Sequence, residues 1–159
     1  MTQDVHPTEN FFPAIWNILH DGVIVAVDGT LPGDLRIDVE IDYLRKRIPD
    51  PGTLIQVLLI GCTRFAFREY EKSEFSTALN DIAAMKPEVV SASVENGICE
   101  IDCVDGILEV VAADGSISLD SGREITLKEL TAVAESYWKE WKEHWERAKM
   151  KKDADNHRP

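Results

Sequence analysis

Histidine and cysteine are scarce in this chain, four and three among 159 residues. That scarcity excludes several kinds of chemistry. His6, His20, His144 and His157 are not spaced with cysteines or carboxylates to complete a metal site, and no calcium-binding loop is present. Three cysteines are an odd number with no disulfide-framework density, so free thiols in a reducing compartment are expected. A Gly-rich phosphate loop, a Gly-x-Ser-x-Gly elbow and a His-Glu-x-x-His helix are all missing, and no cofactor is expected. Basic residues are under-supplied: 17 Lys and Arg stand against 29 Asp and Glu, for a net charge of −12. Such a charge disfavours nucleic acid and anionic membrane surfaces, and suits solubility or a basic protein partner. The longest apolar run, LIQVLLIGC at 54–62, is too short to cross a bilayer and carries Gln56. The opening MTQDVHPTEN has no basic region followed by an apolar stretch, so no secretory signal is expected. A cytoplasmic protein is the expectation.

What the chain does have is β-strand patterning. LRIDVEID at 35–42 alternates throughout, with Leu35, Ile37, Val39 and Ile41 on one face and Arg36, Asp38, Glu40 and Asp42 on the other. GVIVAVD (22–28), TLIQVLLI (53–60) and TRFAFREY (63–70) read as further strands. Between Glu88 and Asp120 three turn dipeptides, Asn96-Gly97, Asp105-Gly106 and Asp114-Gly115, separate β-rich runs. Two-residue loops at each would oppose Val94 to Cys99, Ala92 to Ile101, Val90 to Cys103, Cys103 to Leu108, Ile101 to Val110 and Ala112 to Ile117. All of these are apolar pairs on one face. A four-stranded antiparallel meander over 88–120 is predicted.

Two helices are expected. STALNDIAAM (76–85) is short and stops before Pro87. The second opens at Thr126, where Thr-Leu-Lys-Glu forms a capping box with Glu129. It runs without Gly or Pro to about Met150. Leu127, Leu130, Ala134, Tyr137, Trp138, Trp141, Trp145 and Ala148 share one stripe roughly 100° wide. At 1.5 Å per residue this helix is ~36 Å long, longer than most of the strands. Its tryptophans are either core or, where the far end around Trp145 overhangs the sheet, an interface.

Three groups are candidate binding residues. His20-Asp21 precedes the first strand. It reads as a turn with an Asp side chain bonding nearby backbone, against a functional His-Asp pair. Asp38, Glu40 and Asp42 form an acidic row on one strand, either solvated and cross-paired with Arg64 and Arg68 or a docking face. Trp141 and Trp145 form the third. Cys99 and Cys103 lie roughly 13 Å apart on one strand, too far to share an ion, and point to the core. No catalytic residue and no metal ligand is assigned.

Trp16 ahead of LHDGVI, then LRIDVEI, then GCTRFAF, then the glycine-turn meander form an ordered set of features over about residues 15–120. That order resembles a loose group of small bacterial β-rich proteins that includes immunity proteins of polymorphic toxin systems. The long Trp-bearing helix is not part of the group's pattern. The resemblance implies a non-catalytic protein that neutralises a partner by binding, and it transfers no individual site residue.

The expected architecture is a mainly β (α+β) domain of seven or eight antiparallel strands, with one short helix and a long C-terminal helix packed on the sheet. A closed barrel with the helix at one end is the alternative. Residues 1–14 are expected as an N-terminal arm, 15–150 as a single domain with its helix at 127–150, and 151–159 as a disordered tail. The expected function is non-catalytic binding of a protein partner, with an immunity-type inhibitor of a basic protein as the specific form the resemblance implies. Two alternatives remain open: a ligand-binding protein or enzyme with a pocket between sheet and Trp helix, and a structural homodimer formed through the C-terminal helix.

Overall fold

A computed structural model describes residues 7–156, with side chains described from Phe11 to Ala154. His6 and His157 lie outside the described residues. Among the described residues the fold is α+β, with nine strands in two antiparallel sheets, three short helices and one long one. The first sheet has the order β1 (Val23–Gly29), β2 (Gly33–Glu40), β3 (Leu54–Cys62), β8 (Asp114–Leu119), β9 (Glu124–Ile125). The second runs β4 (Arg64–Glu69), β7 (Gly106–Val111), β6 (Ile98–Cys103), β5 (Val89–Glu95). The four strands of the first half lie within about two residues of the ends that their apolar patterns predict.

The two sheets share one bent ribbon. Only Thr63 separates β3 from β4, and only Ala112 and Ala113 separate β7 from β8. β3 pairs with β8 and β4 with β7, so both strands cross from one sheet to the other together. The crossing holds one extra residue on the β3–β4 side, between the pairs Ile60–Asp114 and Arg64–Val111. Gly61 takes φ +60° there, the left-handed conformation that a glycine bulge uses to bend a ribbon. At the opposite edges β1 meets the start of β5 through Val23 and Glu88. Backbone bonds Asp21 N–H to Val89 O (2.8 Å), Val89 N–H to Gly22 O (2.9 Å) and Ile24 N–H to Pro87 O (2.9 Å) link the sheets at that side.

The predicted meander forms only in part. Val94 opposes Cys99 and Ala92 opposes Ile101 as expected. The turn between them holds Asn96 at φ 54° and Gly97 at φ 78°, the paired positive values of a two-residue hairpin turn. A bulge then shifts the register so that Val89, and not Val90, opposes Cys103, and Val90 is exposed. In the second hairpin Ile101 opposes Leu108 and Cys99 opposes Val110, so the turn residues are Val104 and Asp105. That displacement moves every pairing by two positions and leaves the apolar face intact. The third hairpin does not exist: β8 leaves the meander and pairs with β3. Asp114-Gly115 lies inside β8 and makes no turn. Gly115 serves close approach, because a Cβ there would stand 2.8 Å from the Phe11 ring and 2.9 Å from the Phe12 ring.

Two expectations for the chain ends are corrected. Part of the supposed N-terminal arm is helix α1 (Pro7–Ile18). Pro7 occupies the first helical position, where proline's missing N–H and fixed φ cost nothing. Phe12, Ile15, Trp16 and Leu19 are all buried, spaced as one helical face. The supposed tail is helical as far as Asn156, because no Gly or Pro interrupts 127–156; the remaining residues, 157–159, lie outside the described ones. The short helix α3 (Leu79–Ala84) is where the pattern placed it. The single-turn helix α2 (Asp42–Arg45) carries no periodicity that a sequence reading could use.

The core lies between the sheets and extends under α1, with Trp16, Phe65, Ile37, Ile55, Leu59, Ile101 and Leu108 fully buried. The long helix α4 (Leu127–Asn156) opens on the predicted capping box. The Glu129 N–H donates to Thr126 Oγ1 at 3.0 Å, and the Thr126 N–H donates to Glu129 Oε1 at 3.3 Å. Leu130 and Ala134 are buried, and these first turns pack on the body beside α1 and α2.

Candidate functional site

The apolar stripe of α4 continues past the point where the body ends. Leu130 and Ala134 are buried, Tyr137 and Trp138 half-buried, and every residue from Lys139 to Ala154 is exposed. At 1.5 Å per residue, roughly 24 Å of helix therefore projects from the domain. Trp141 is 51% and Trp145 60% exposed, and Met150 is 70% exposed. Of the two expectations for the stripe, core describes its first two turns, and the rest is exposed.

A continuous run of ring contacts marks the boundary. His20 stacks on Trp138 with centroids 5.1 Å apart and planes 20° apart. Tyr43 lies 4.5 Å from Tyr137 and 5.8 Å from Trp138. Trp138 meets Trp141 edge-on at 5.8 Å, and Trp141 lies parallel to Trp145 at 6.2 Å and 4°. Such pairs add roughly 0.5–1.5 kcal/mol each beyond the area they bury. The chain positions this cluster through the end of α1, the start of α2 and the third and fourth turns of α4. On the body side Arg47 sits 5.1 Å from the centre of the Tyr137 ring. Arg47 also pairs with Glu140, and that hydrogen bond raises the arginine and lowers the carboxyl from their usual values.

His20 and Asp21 are brought to this place, in the role of a turn and a stacking platform. The His20 ring Nδ1 stands 2.8 Å from the Asn17 carbonyl, and the His20 carbonyl accepts the Tyr43 hydroxyl at 2.7 Å. Asp21 has φ 71° and is exposed. Burial, then the Asp21 charge, hold the Tyr43 phenol well above its ordinary value, so it stays a hydrogen-bond donor. Rings from three parts of the chain thus meet beneath Trp138.

The acidic row does not stay together. Asp38 is buried at 7% exposure. Its Oδ1 accepts from Gln56 Nε2 at 3.2 Å and pairs with Arg36 Nε at 3.3 Å. Gln56 Oε1 in turn accepts from Ser118 Oγ at 3.2 Å, a polar ladder across β2, β3 and β8. Glu40 ends its strand exposed, and Asp42 opens α2. Arg64 and Arg68 stand in the other sheet. Arg64 pairs with Glu109 at 2.7 Å, and Arg68 donates to the Lys72 carbonyl.

The three cysteines are free and buried. Burial pushes the Cys99 and Cys103 thiols up to about 12 and raises Cys62 as well. Among the described residues no three His, Cys, Asp or Glu side chains are grouped to hold a metal ion, and no helix is long and apolar enough to cross a membrane. A hollow of about 460 Å³ beside the β6–β7 turn is lined by Phe67, Tyr70, Met85 and Val104. Among the described residues its ionisable groups are the carboxylates of Glu69, Glu71 and Asp105 and the Tyr70 phenol. The residues that sequence reading missed are Tyr43, Tyr137 and Trp138 as a cluster with His20. Only the aromatic character of 137–145 signalled them.

No protein-family model matches this chain, and comparison with curated proteins and with solved structures gives no match.

Proposed function

We propose that this chain is a non-catalytic binding protein whose binding element is the projecting half of α4. One observation carries the reading: Trp141 and Trp145 stand stacked and more than half exposed on a helix that has left its own domain. An exposed pair of large aromatics is the usual centre of a protein contact, where each tryptophan gains binding energy once water is excluded. The ring cluster around Trp138 supports this reading, since it holds the foot of the helix at a defined angle to the body. Arg47–Glu140 does the same from the other side.

The expected immunity-type inhibitor of a basic protein remains a second reading. The net charge of −12 and the exposed Asp21, Glu40 and Asp42 favour it. On that reading the body, and not the helix, is the docking face, because residues 147–152 carry four basic side chains and no acidic one.

The test is lysine-directed cross-linking of the full chain at native abundance, followed by mass spectrometric mapping, for wild type and Trp141→Ala/Trp145→Ala. Intermolecular adducts at Lys142, Lys149, Lys151 and Lys152 that vanish in the double variant are expected. Adducts confined to the body, or unchanged in the double variant, overturn the helix as the binding element.

A further inference from the structure

The occupant of the exposed stripe can be read from the helix itself. Ala134, Trp138, Trp141, Trp145, Ala148 and Lys152 alternate at spacings of four and three residues. That is the two-position seam of a heptad repeat, the narrow stripe that packs against another helix. The stripe is symmetric about Glu143: Trp141 mirrors Trp145, and Trp138 mirrors Ala148. A two-fold contact needs such a self-complementary face, since each residue must suit its mirror position.

Charge selects the direction. Residues 147–152 carry Arg147, Lys149, Lys151 and Lys152 with no acidic residue, whereas Glu135 and Glu140 lie toward the body. Parallel packing would set the basic ends side by side. Antiparallel packing sets the large Trp138 against the small Ala148, and acid against base. Trp138 then meets the partner's Ala148, Trp141 meets the partner's Trp145, and Glu135 flanks the partner's Lys149. The basic end of each helix runs back toward the other body, where Asp21 and Asp42 are exposed beside the His20–Tyr43–Trp138 cluster. Among the described residues Glu135, Lys142 and Lys149 make no ion pair within their own chain. At the axis Lys142 faces its own copy, a like-charge contact that its long stem relieves into water.

From this we infer that the projecting half of α4 binds a second copy of this chain, as an antiparallel helix pair centred on Trp141 and the partner's Trp145. The inference rests on the reading of the projecting helix as the binding element and names its partner. Packing of this kind sets the two axes 8–10 Å apart with a crossing near 20°.

Sedimentation velocity over a wide concentration range tests it, on the full chain and with three variants. Wild type is expected to shift from monomer to dimer as concentration rises. Trp141→Ala/Trp145→Ala should be monomeric throughout and keep the wild-type far-UV circular dichroism, since both side chains are exposed. Lys149→Glu turns two attractions into repulsions and should weaken the dimer by about tenfold. Glu135→Lys/Lys149→Glu should restore it, which parallel packing does not predict. A wild-type monomer at every concentration overturns the second copy as occupant. If helix-directed adducts to another protein were found in the cross-linking experiment, the binding element would survive that result. A dimer indifferent to the tryptophan pair overturns the helix as the contact between copies, and the cross-linking result then decides the binding element by itself.

Discussion

Arg45 and Asp120 lie 75 positions apart, and their side chains meet at 3.0 Å. The Arg45 side chain is 1% exposed, a burial that a guanidinium tolerates only when its donors are used. They are used here: Nε donates to the Leu54 carbonyl at 3.1 Å, Nη1 to Asp50 at 2.9 Å and Nη2 to Pro51 at 2.8 Å. Asp120 Oδ2 accepts the Thr53 N–H at 2.8 Å. The cluster thus ties α2, the turn at 49–53 and the end of β8 together.

Arg45→Met leaves three carbonyls and a carboxylate oxygen without their donor in a buried place. The expected loss of unfolding free energy is about 3–5 kcal/mol by urea titration. Arg45→Lys should lose much of the same, because a single ammonium cannot span four acceptors. A loss below about 1 kcal/mol in both would mean that the cluster holds nothing together.

Asp120 also gives the fold a pH dependence. Burial alone pushes its carboxyl up. The hydrogen bonds from the Thr53 N–H, the Arg45 side chain and the Leu54 N–H, with the Arg45 charge, outweigh it and hold the group below its ordinary 3.8. A carboxyl lowered by folding adds stability in full above its unfolded value, and that stability is lost as pH falls through the folded value. The melting temperature of wild type should therefore drop below about pH 4 more steeply than that of Asp120→Asn. Parallel curves for the two would assign the acid sensitivity to other groups.

The thiols should be silent in the native state. Cys99 and Cys103 are buried and held at about 12, so the reactive thiolate is scarce at neutral pH. Ellman's reagent is expected to label none of the three until urea unfolds the chain, with the labelling rate following the unfolding equilibrium. Prompt labelling of the native protein would show that β6, or the end of β3 at Cys62, opens locally.

Much of the fold was legible because its causes are local. Alternation at 35–42 set which side chains of β2 face the core, and Leu35, Ile37, Val39 and Ile41 are all buried. Asn96-Gly97 made its hairpin, and Thr126 with Glu129 started α4 where the capping box stood. α1 was not among the expected helices, although Phe12, Ile15, Trp16 and Leu19 keep a helical spacing across Pro13. Asp114-Gly115 read as a turn because turn chemistry is identical in a strand that needs glycine for close approach.

The sequence by itself determined the period, face and ends of most elements, since these depend on neighbours within a few residues. Only the tertiary structure decided that β8 joins β3, that Asp38 is covered beside Gln56, and that His20 stacks on Trp138. Each of those depends on a partner distant in the chain. The tryptophans show the division most plainly. Their spacing specifies an apolar stripe along one side of α4, but burial needs a surface opposite, and the domain's own surface gives out just beyond Trp138.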